Sequence, residues 1–497
     1  MLEKLQDCCF SFVMSKEAMH NPFDSCIRIG DYFFSHDENT PICISSFDGR
    51  ELVLFGYVID VRNGMSNGLA EKILCETKII DDVIDYEKWL GGKYLIIYRD
   101  ASGCYVVPDA TASIPIQYTT ANTKFLCSSC EAYIVNAADL KVDRELQLIR
   151  NASDISQAMP YDVTSYYEIK CLLPNHILCC QSQTVKRFVN AKKNQEEISA
   201  EEAVKITAKF IENLAAFFVE KSKIYCPITG GKDSRVVMGY LDQAYRNAGK
   251  NILGYTIRHA NYTGKEDDLI IPEKLARLGF FQYEQIKDEP IDAGTYERMD
   301  IMYGKNRYSK RTLLIANTVH YHYGDGAIVN GDIMGQVGKC SLHRDIPDCF
   351  ASADYFRCKL HNYTRKTNEY IKAWLRDIDN AEEHVNVFDL FSIESRLGRW
   401  ASQENSIYNS IGQLYVNIFN SRSIIYTWTR VARKKRKNAE IQKNLIQRVR
   451  PEMLNVPFET DQNILVRISK INGVCYYIGS RIKHVIKYME FRTGKKE

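Results

Sequence analysis

The sequence predicts an α/β protein: an α+β first part, then a parallel sheet with helices on both faces. Three observations predict it. Residues 1–190 break into short alternating or apolar runs separated by glycine and proline. From about residue 200, apolar strand-length runs alternate with longer helical patterns, the signature of parallel sheets. Between the two, residues 191–202 are polar and charged, which places a domain boundary there. The expected domains are therefore 1–190 and 200–497.

In the first part the strand candidates are 32–35, 52–59, 94–98, 105–107, 115–119, 124–127 and 176–180, with helical patterns at 68–76 and 82–90. In the second, Ser199 followed by Glu202 is a capping-box signal for a helix over 200–221. That helix leads into an apolar strand at 224–228. Further strands are expected at 252–258 and 281–286, with a helix over 266–278 between them, and another strand ends at Asn330. In such sheets ligands bind beyond the C-terminal strand ends.

Composition excludes several classes. A net charge of +3 on 497 residues gives no general pull toward nucleic acid. The basic run 430–437 lacks interleaved aromatics and reads as a solvated helix face or an anion patch. No apolar run reaches membrane-spanning length, and the first twenty residues lack a signal-peptide core, so a soluble, cytoplasmic chain is expected. Sixteen cysteines without a secretion signal read as reduced thiols. The single Cys127–Cys130 spacing lacks the further ligands of structural zinc, as does His320 with His322.

The strand at 224–228 runs into Thr229-Gly230-Gly231-Lys232-Asp233-Ser234. Asp233 and Ser234 open a helical pattern whose apolar side is Val236, Val237, Tyr240 and Leu241, with Gly249 as its stop. Glycine lets the backbone approach an anion. The first amides of a helix lack intrahelical partners and lie at its positive end. A Walker loop is excluded, because Cys226 and Asp233 stand where glycine and Ser/Thr are required.

The segment resembles the S-G-G-x-D-S pyrophosphate loop of the asparagine-synthetase and ATP-pyrophosphatase superfamily, with Thr229 keeping the hydroxyl of the first serine. The resemblance implies an adenine-nucleotide α-hydrolase-like fold for the second part, with ATP as cosubstrate. Thr229, Gly230, Gly231, Lys232, Asp233 and Ser234 would hold the departing diphosphate, and the backbone at Ile228 and Ile257 would frame adenine. Asp267 and Asp268 lie where the family carries an acid, a position that dipole compensation also favours. Residues 327–339 resemble the family's second nucleotide loop. There Gly331 would touch the nucleotide, and Asp332 would share Mg2+ with Asp233. Gly335 falls near the place of a further family aspartate. Segments 395–400, 420–422 and 445–457 resemble asparagine-synthase-related proteins of polysaccharide gene clusters. The family's phosphate-contacting lysine has no counterpart near Val456 and Pro457; Lys339 or Arg422 are the candidates to replace it.

In the first part, 92–100, Asp109-Ala110 and 115–118 resemble the class II glutamine amidotransferase domain, a layered N-terminal nucleophile hydrolase. That family needs cysteine at position 2, where this sequence has Leu2, so no glutaminase activity is expected. The expected function is an ATP-dependent ligase. It adenylates a small-molecule, sugar or peptide carboxylate, with AMP and pyrophosphate released, for attack by ammonia or a substrate amine. Its expected partners are that acid and an amine donor, with a homodimer as an option and no nucleic acid or membrane. The alternatives are a catalytically degenerate binding or scaffold protein and, disfavoured by the first part, a nucleic-acid-modifying pyrophosphatase.

Overall fold

The computed structural model describes residues 8–18, 23, 25–121, 123–153, 159–191, 196–264, 266–304, 307–378, 383–459, 467 and 472–493. Leu2 lies outside them.

The first part is layered. Two six-stranded antiparallel sheets face each other. One includes Phe12–Ser15, Tyr32–His36 and Leu126–Ser128; the other is built on Arg50–Asp60 and Leu90–Arg99. Alternation along the strands decides which side chains meet. Phe12, Met14 and Phe34 of one sheet pack on Val53, Phe55, Leu95 and Ile97 of the other. The intervening Leu52, Leu54, Tyr94, Ile96 and Tyr98 point outward, onto the helices Leu69–Glu76 and Ile80–Glu87. On the far side, Ile134 of the helix Glu131–Ala138 covers Leu126. The order is thus helix, sheet, sheet, helix.

The second part holds a five-stranded, wholly parallel sheet in the order Gln282–Lys287, Leu253–Arg258, Ile224–Pro227, Ala327–Asn330, Leu414–Asn417. The helix Ala200–Lys221 begins where expected, its cap Ser199 Oγ accepting the Glu202 amide at 3.0 Å. It buries Val204, Ile211, Leu214 and Phe218 in a core shared with Val236, Val237 and Leu241. Strands at 253–258 and 282–287 lie within one residue of expectation. The strand Leu414–Asn417 was not anticipated. Neither were two π-helical stretches, Met334–Gly338 and Ser392–Ala401.

The two parts are joined by largely buried polar contacts. Gly92 donates its amide to the Asn420 carbonyl at 2.9 Å, and Asn420 Nδ2 returns a bond to the Gly92 carbonyl at 2.7 Å. The buried Lys93 ammonium reaches Asn409 Oδ1 at 2.7 Å and the Tyr415 carbonyl at 3.1 Å; burial lowers its pKa to about 8. Arg422 Nε meets Glu87 at 2.5 Å. That placement takes Arg422 out of contention as the phosphate-contacting cation. The basic run is likewise not a uniformly solvated face. Arg436 is buried, bidentate on Asp389, and donates to the Val431 and Val337 carbonyls. Lys437 pairs with Asp345 at 2.7 Å.

Candidate active site

The first strand of the parallel sheet, Ile224–Pro227, ends up in its middle. The chain then builds outward on one side through Leu253–Arg258 and returns to the other side with Ala327–Asn330. Strand order therefore reverses between Ile224–Pro227 and Ala327–Asn330, and the loops leaving these neighbours diverge. A crevice is expected at such a point. A cavity of about 560 Å³ occupies it, lined by Ile228, Thr229, Asp233, Ser234, Ile257, Gly331 and Asp332 among others. Seven of the ten residues singled out in the sequence thus share one hollow, although they come from three strand ends.

The other three, Gly230, Gly231 and Lys232, do not line it. The Gly230 amide donates to Asp268 Oδ1 at 2.9 Å, and the Gly231 amide to Thr229 Oγ1 at 3.2 Å. Glu459 lies over the turn: its amide donates to the Gly230 carbonyl at 3.0 Å, and its Oε1 would stand 3.4 Å from a Cβ built on Gly231. The expected open cup of glycine amides is therefore closed in this structure. The amides that precede any intrahelical bond, those of Asp233 and Ser234, open the helix Asp233–Asn247. Ser234 Oγ lies 3.2 Å from Thr229 Oγ1 and accepts the Thr229 amide at 3.2 Å.

What holds the turn in place was not visible in the sequence. Arg235, fully buried, donates Nη1 to the Met453 and Val456 carbonyls at 2.9 and 2.6 Å. Its Nη2 donates to Pro457 O at 2.5 Å and to Gly230 O at 3.4 Å. Burial pulls its pKa down to about 10, with Glu459 opposing. Phe458 lies under both Lys232 and Arg235, at 4.3 and 4.1 Å from its ring centre. Lys232 lines a neighbouring recess of about 560 Å³ with Lys339, Arg344, Lys437 and Lys443, against the single carboxylate of Glu440 among the described residues. Lys339 therefore shares a cationic recess with the loop.

Two carboxylates face each other across the crevice. Asp233 accepts from Gln442 Nε2 at 2.9 Å, and Asp332 from the Tyr415 hydroxyl at 3.3 Å. Asp332 is open to the cavity yet ringed by protein. Its carboxyl pKa is raised, first by that enclosure and further by the charge of Asp233, while Tyr415 opposes. A Cβ at Gly335 would lie 3.2 Å from Asp233 Oδ2, so the missing side chain leaves that oxygen accessible. Two mutually repelling carboxylates with hard oxygen donors fit a Mg2+ ion that takes its remaining ligands from phosphate and water.

The far wall supplies groups that sequence reasoning missed. Both π-helical stretches border the cavity, through Gly335 and Gln336 on one side and Leu397, Trp400 and Ala401 on the other. Such stretches are frequent at functional sites. The helix Ser402–Ser410 adds Glu404, Asn405 and Tyr408. Tyr408 stacks on Tyr415 with centroids 4.0 Å apart, which links Glu404's helix to Asp332. Glu404 accepts a short hydrogen bond from Thr312 Oγ1. Burial raises its carboxyl pKa to about 7, Arg396 pulling the other way. The advance signal was the resemblance carried by residues 395–400, which says nothing about which side chains meet the crevice.

No protein-family model matches the chain, and no curated protein matches it. Several solved structures align with it. The allosteric regulatory enzyme of purine biosynthesis aligns at 11% identity over 58% of this chain and 78% of its own, with a TM-score of 0.25. The U34-tRNA thiolase NcsA from Methanococcus maripaludis, with its [4Fe-4S] cluster, aligns at 12% over 61% and 86%, TM-score 0.24. Glutamine phosphoribosylpyrophosphate amidotransferase from B. subtilis, complexed with ADP and GMP, aligns at 11% over 57% and 76%, TM-score 0.23. At these scores the likenesses assign nothing, and the description of the molecule rests on its own layered first part, parallel sheet and crevice.

Proposed function

We propose that the chain is an ATP-dependent ligase that activates a carboxylate and joins it to an amine. The observation that carries this reading is the crevice itself: Asp233 with Ser234 on one wall and Asp332 on the other, from adjacent parallel strands whose order reverses there. In the proposed reaction a substrate carboxylate oxygen attacks the α-phosphorus of ATP, and the bond to the β,γ-diphosphate breaks. An amine then attacks the acyl carbon, AMP leaves, and the nitrogen loses a proton. Ile228 and Ile257 flank the base. The amides of Asp233 and Ser234, with the Thr229 and Ser234 hydroxyls, receive charge that develops on the leaving diphosphate. Lys232 and Lys339 in the adjoining recess complement it. Asp233 and Asp332 would hold Mg2+, which spreads that charge when bound. Glu404, poised near neutrality, accepts the proton of the attacking amine, the property a general base needs.

The test is pyrophosphate release from ATP with a panel of uronic, amino and peptide acids, each with and without ammonia. Acid-dependent release is expected, with Asp233→Ala slower by about a hundredfold or more. Equal release by both proteins refutes the reading. One observation favours a second reading, a scaffold protein that no longer takes up nucleotide: Asp268, Thr229 and Glu459 already occupy the glycine turn. Calorimetry with ATP, with and without Mg2+, separates the two. Absence of heat with either favours the second.

A further inference from the structure

The helix Gly473–Arg492 packs on the protein through Tyr476, Tyr477, His484 and Phe491. Tyr476 meets the Lys359 ammonium at 3.4 Å, the Tyr477 and Phe350 rings pack at a tilt with centroids 4.5 Å apart, and His484 and Phe491 pack at a tilt on Tyr363. Its opposite side should be polar in a solvated surface helix. It is not. Ile478, Ile482, Val485, Ile486 and Met489 recur at helical spacing and are 51%, 55%, 48%, 51% and 60% exposed. They form an aliphatic stripe about 16 Å long at 1.5 Å per residue. Arg481, Lys483, Lys487 and Arg492 flank the stripe, and Glu490 is the helix's one acid.

Beside the stripe runs a groove of about 770 Å³. Four arginines, Arg357, Arg365, Arg481 and Arg492, line it together with His484 and aromatic rings; among the described residues no carboxylate lines it, though Asp354 pairs with Arg357 at 3.3 Å. Val485 belongs to both groove and stripe. A guanidinium-rich groove continuous with a bare aliphatic stripe matches one kind of occupant: anionic headgroups against the arginines and acyl chains against the isoleucines. A second copy of the chain fits less well, because pairing two such helices sets four cations against four. Nucleic acid would use the arginines but not the stripe.

We propose that this face is a docking surface for an anionic phospholipid membrane, on which the helix lies in the interface plane. This departs from the expectation that the chain has no membrane partner. Among the described residues no helix is long and apolar enough to cross a bilayer, so the association is peripheral.

The experiment is cosedimentation of the full chain with vesicles of phosphatidylcholine alone or mixed with phosphatidylglycerol. Binding is expected only to the mixed vesicles and weakens with salt. Ile482→Glu with Ile486→Glu is expected to weaken it about tenfold per residue, as loss of a buried aliphatic side chain does. Arg365→Glu with Arg492→Glu is expected to abolish the phosphatidylglycerol preference. These residues are at the surface, and an unchanged thermal transition checks that the variants fold. Three results overturn the proposal: equal binding to both vesicle types, a dimer in solution that the isoleucine variant splits, and salt-dependent RNA binding that only the arginine variant loses. ATP turnover is not a readout, so the outcome is independent of the ligase reading.

Discussion

Glu404→Gln keeps the side chain's shape and deletes its proton equilibrium. Burial lifts this carboxyl from the ordinary 4.5 to about 7. Between those values the folded protein holds a proton that the unfolded chain has released. Stability therefore falls as pH rises through this window, and the loss is complete above the folded value. At 1.36 kcal/mol per unit the penalty above neutrality is on the order of 3 kcal/mol. The glutamine variant does not pay it. Relative to the parent, the variant should gain about 3 kcal/mol between about pH 4 and pH 8.5, read from urea midpoints at each pH. Amide formation should behave in the opposite sense. In the parent the rate climbs through pH 7 as the base ionises; in the variant it falls by about a hundredfold or more and the inflection disappears. A variant that keeps the inflection refutes Glu404 as the proton acceptor. A stability difference that does not move with pH refutes the buried carboxyl itself.

Asp332→Asn removes one of the two facing carboxylates; ATP titrations should show the Mg2+ enhancement of binding lost while metal-free binding is equal or tighter. Arg187 is bidentate on the buried Glu394 at 2.5 and 2.9 Å and also meets Asp377 at 2.7 Å. Arg187→Met should cost about 3–5 kcal/mol by chemical denaturation, with much of it recovered in the double variant Arg187→Met/Glu394→Gln. A Cβ at Gly331 would stand 2.6 Å from Val237 Cγ2 and 3.0 Å from Phe419 Cε2. Gly331→Ala should therefore lose about 1–3 kcal/mol and lower the melting temperature, with a larger effect on ATP affinity than a remote surface alanine has.

The parallel sheet was legible where its strands are short apolar runs closed by glycine or a polar turn, as at Ile224–Pro227 and Ala327–Asn330, and where the intervening helices show their period. Ser199 and Gly249 marked helix ends by chemistry that is local to a few residues: Gly249 has φ +68 and follows the cap Ala248. The Leu414–Asn417 strand is only Leu-Tyr-Val-Asn, too short a run to mark itself, and its pairing with Ala327–Asn330 makes it a strand. The site was legible to the extent that it sits on the turns following strands. Glu404, Tyr408 and Tyr415 were not, because helix packing brings the first two to the crevice and strand pairing with Ala327–Asn330 the third. Arg436 and Lys437 misled for the same reason: five consecutive cations look solvated until Asp389 and Asp345 arrive from distant segments. The closed state of Gly230 and Gly231 depends on Asp268 and Glu459, neither adjacent in sequence.

The brace that Arg235 makes with the carbonyls of Met453, Val456 and Pro457 spans more than two hundred residues of chain. During synthesis the glycine turn emerges from the ribosome long before its support does. A nascent chain that stops short of Met453 leaves the Arg235 guanidinium with the Gly230 carbonyl but without those of Met453, Val456 and Pro457. The shape of the turn thereby depends on synthesis reaching Pro457, and fragments released earlier carry the loop's sequence without its shape.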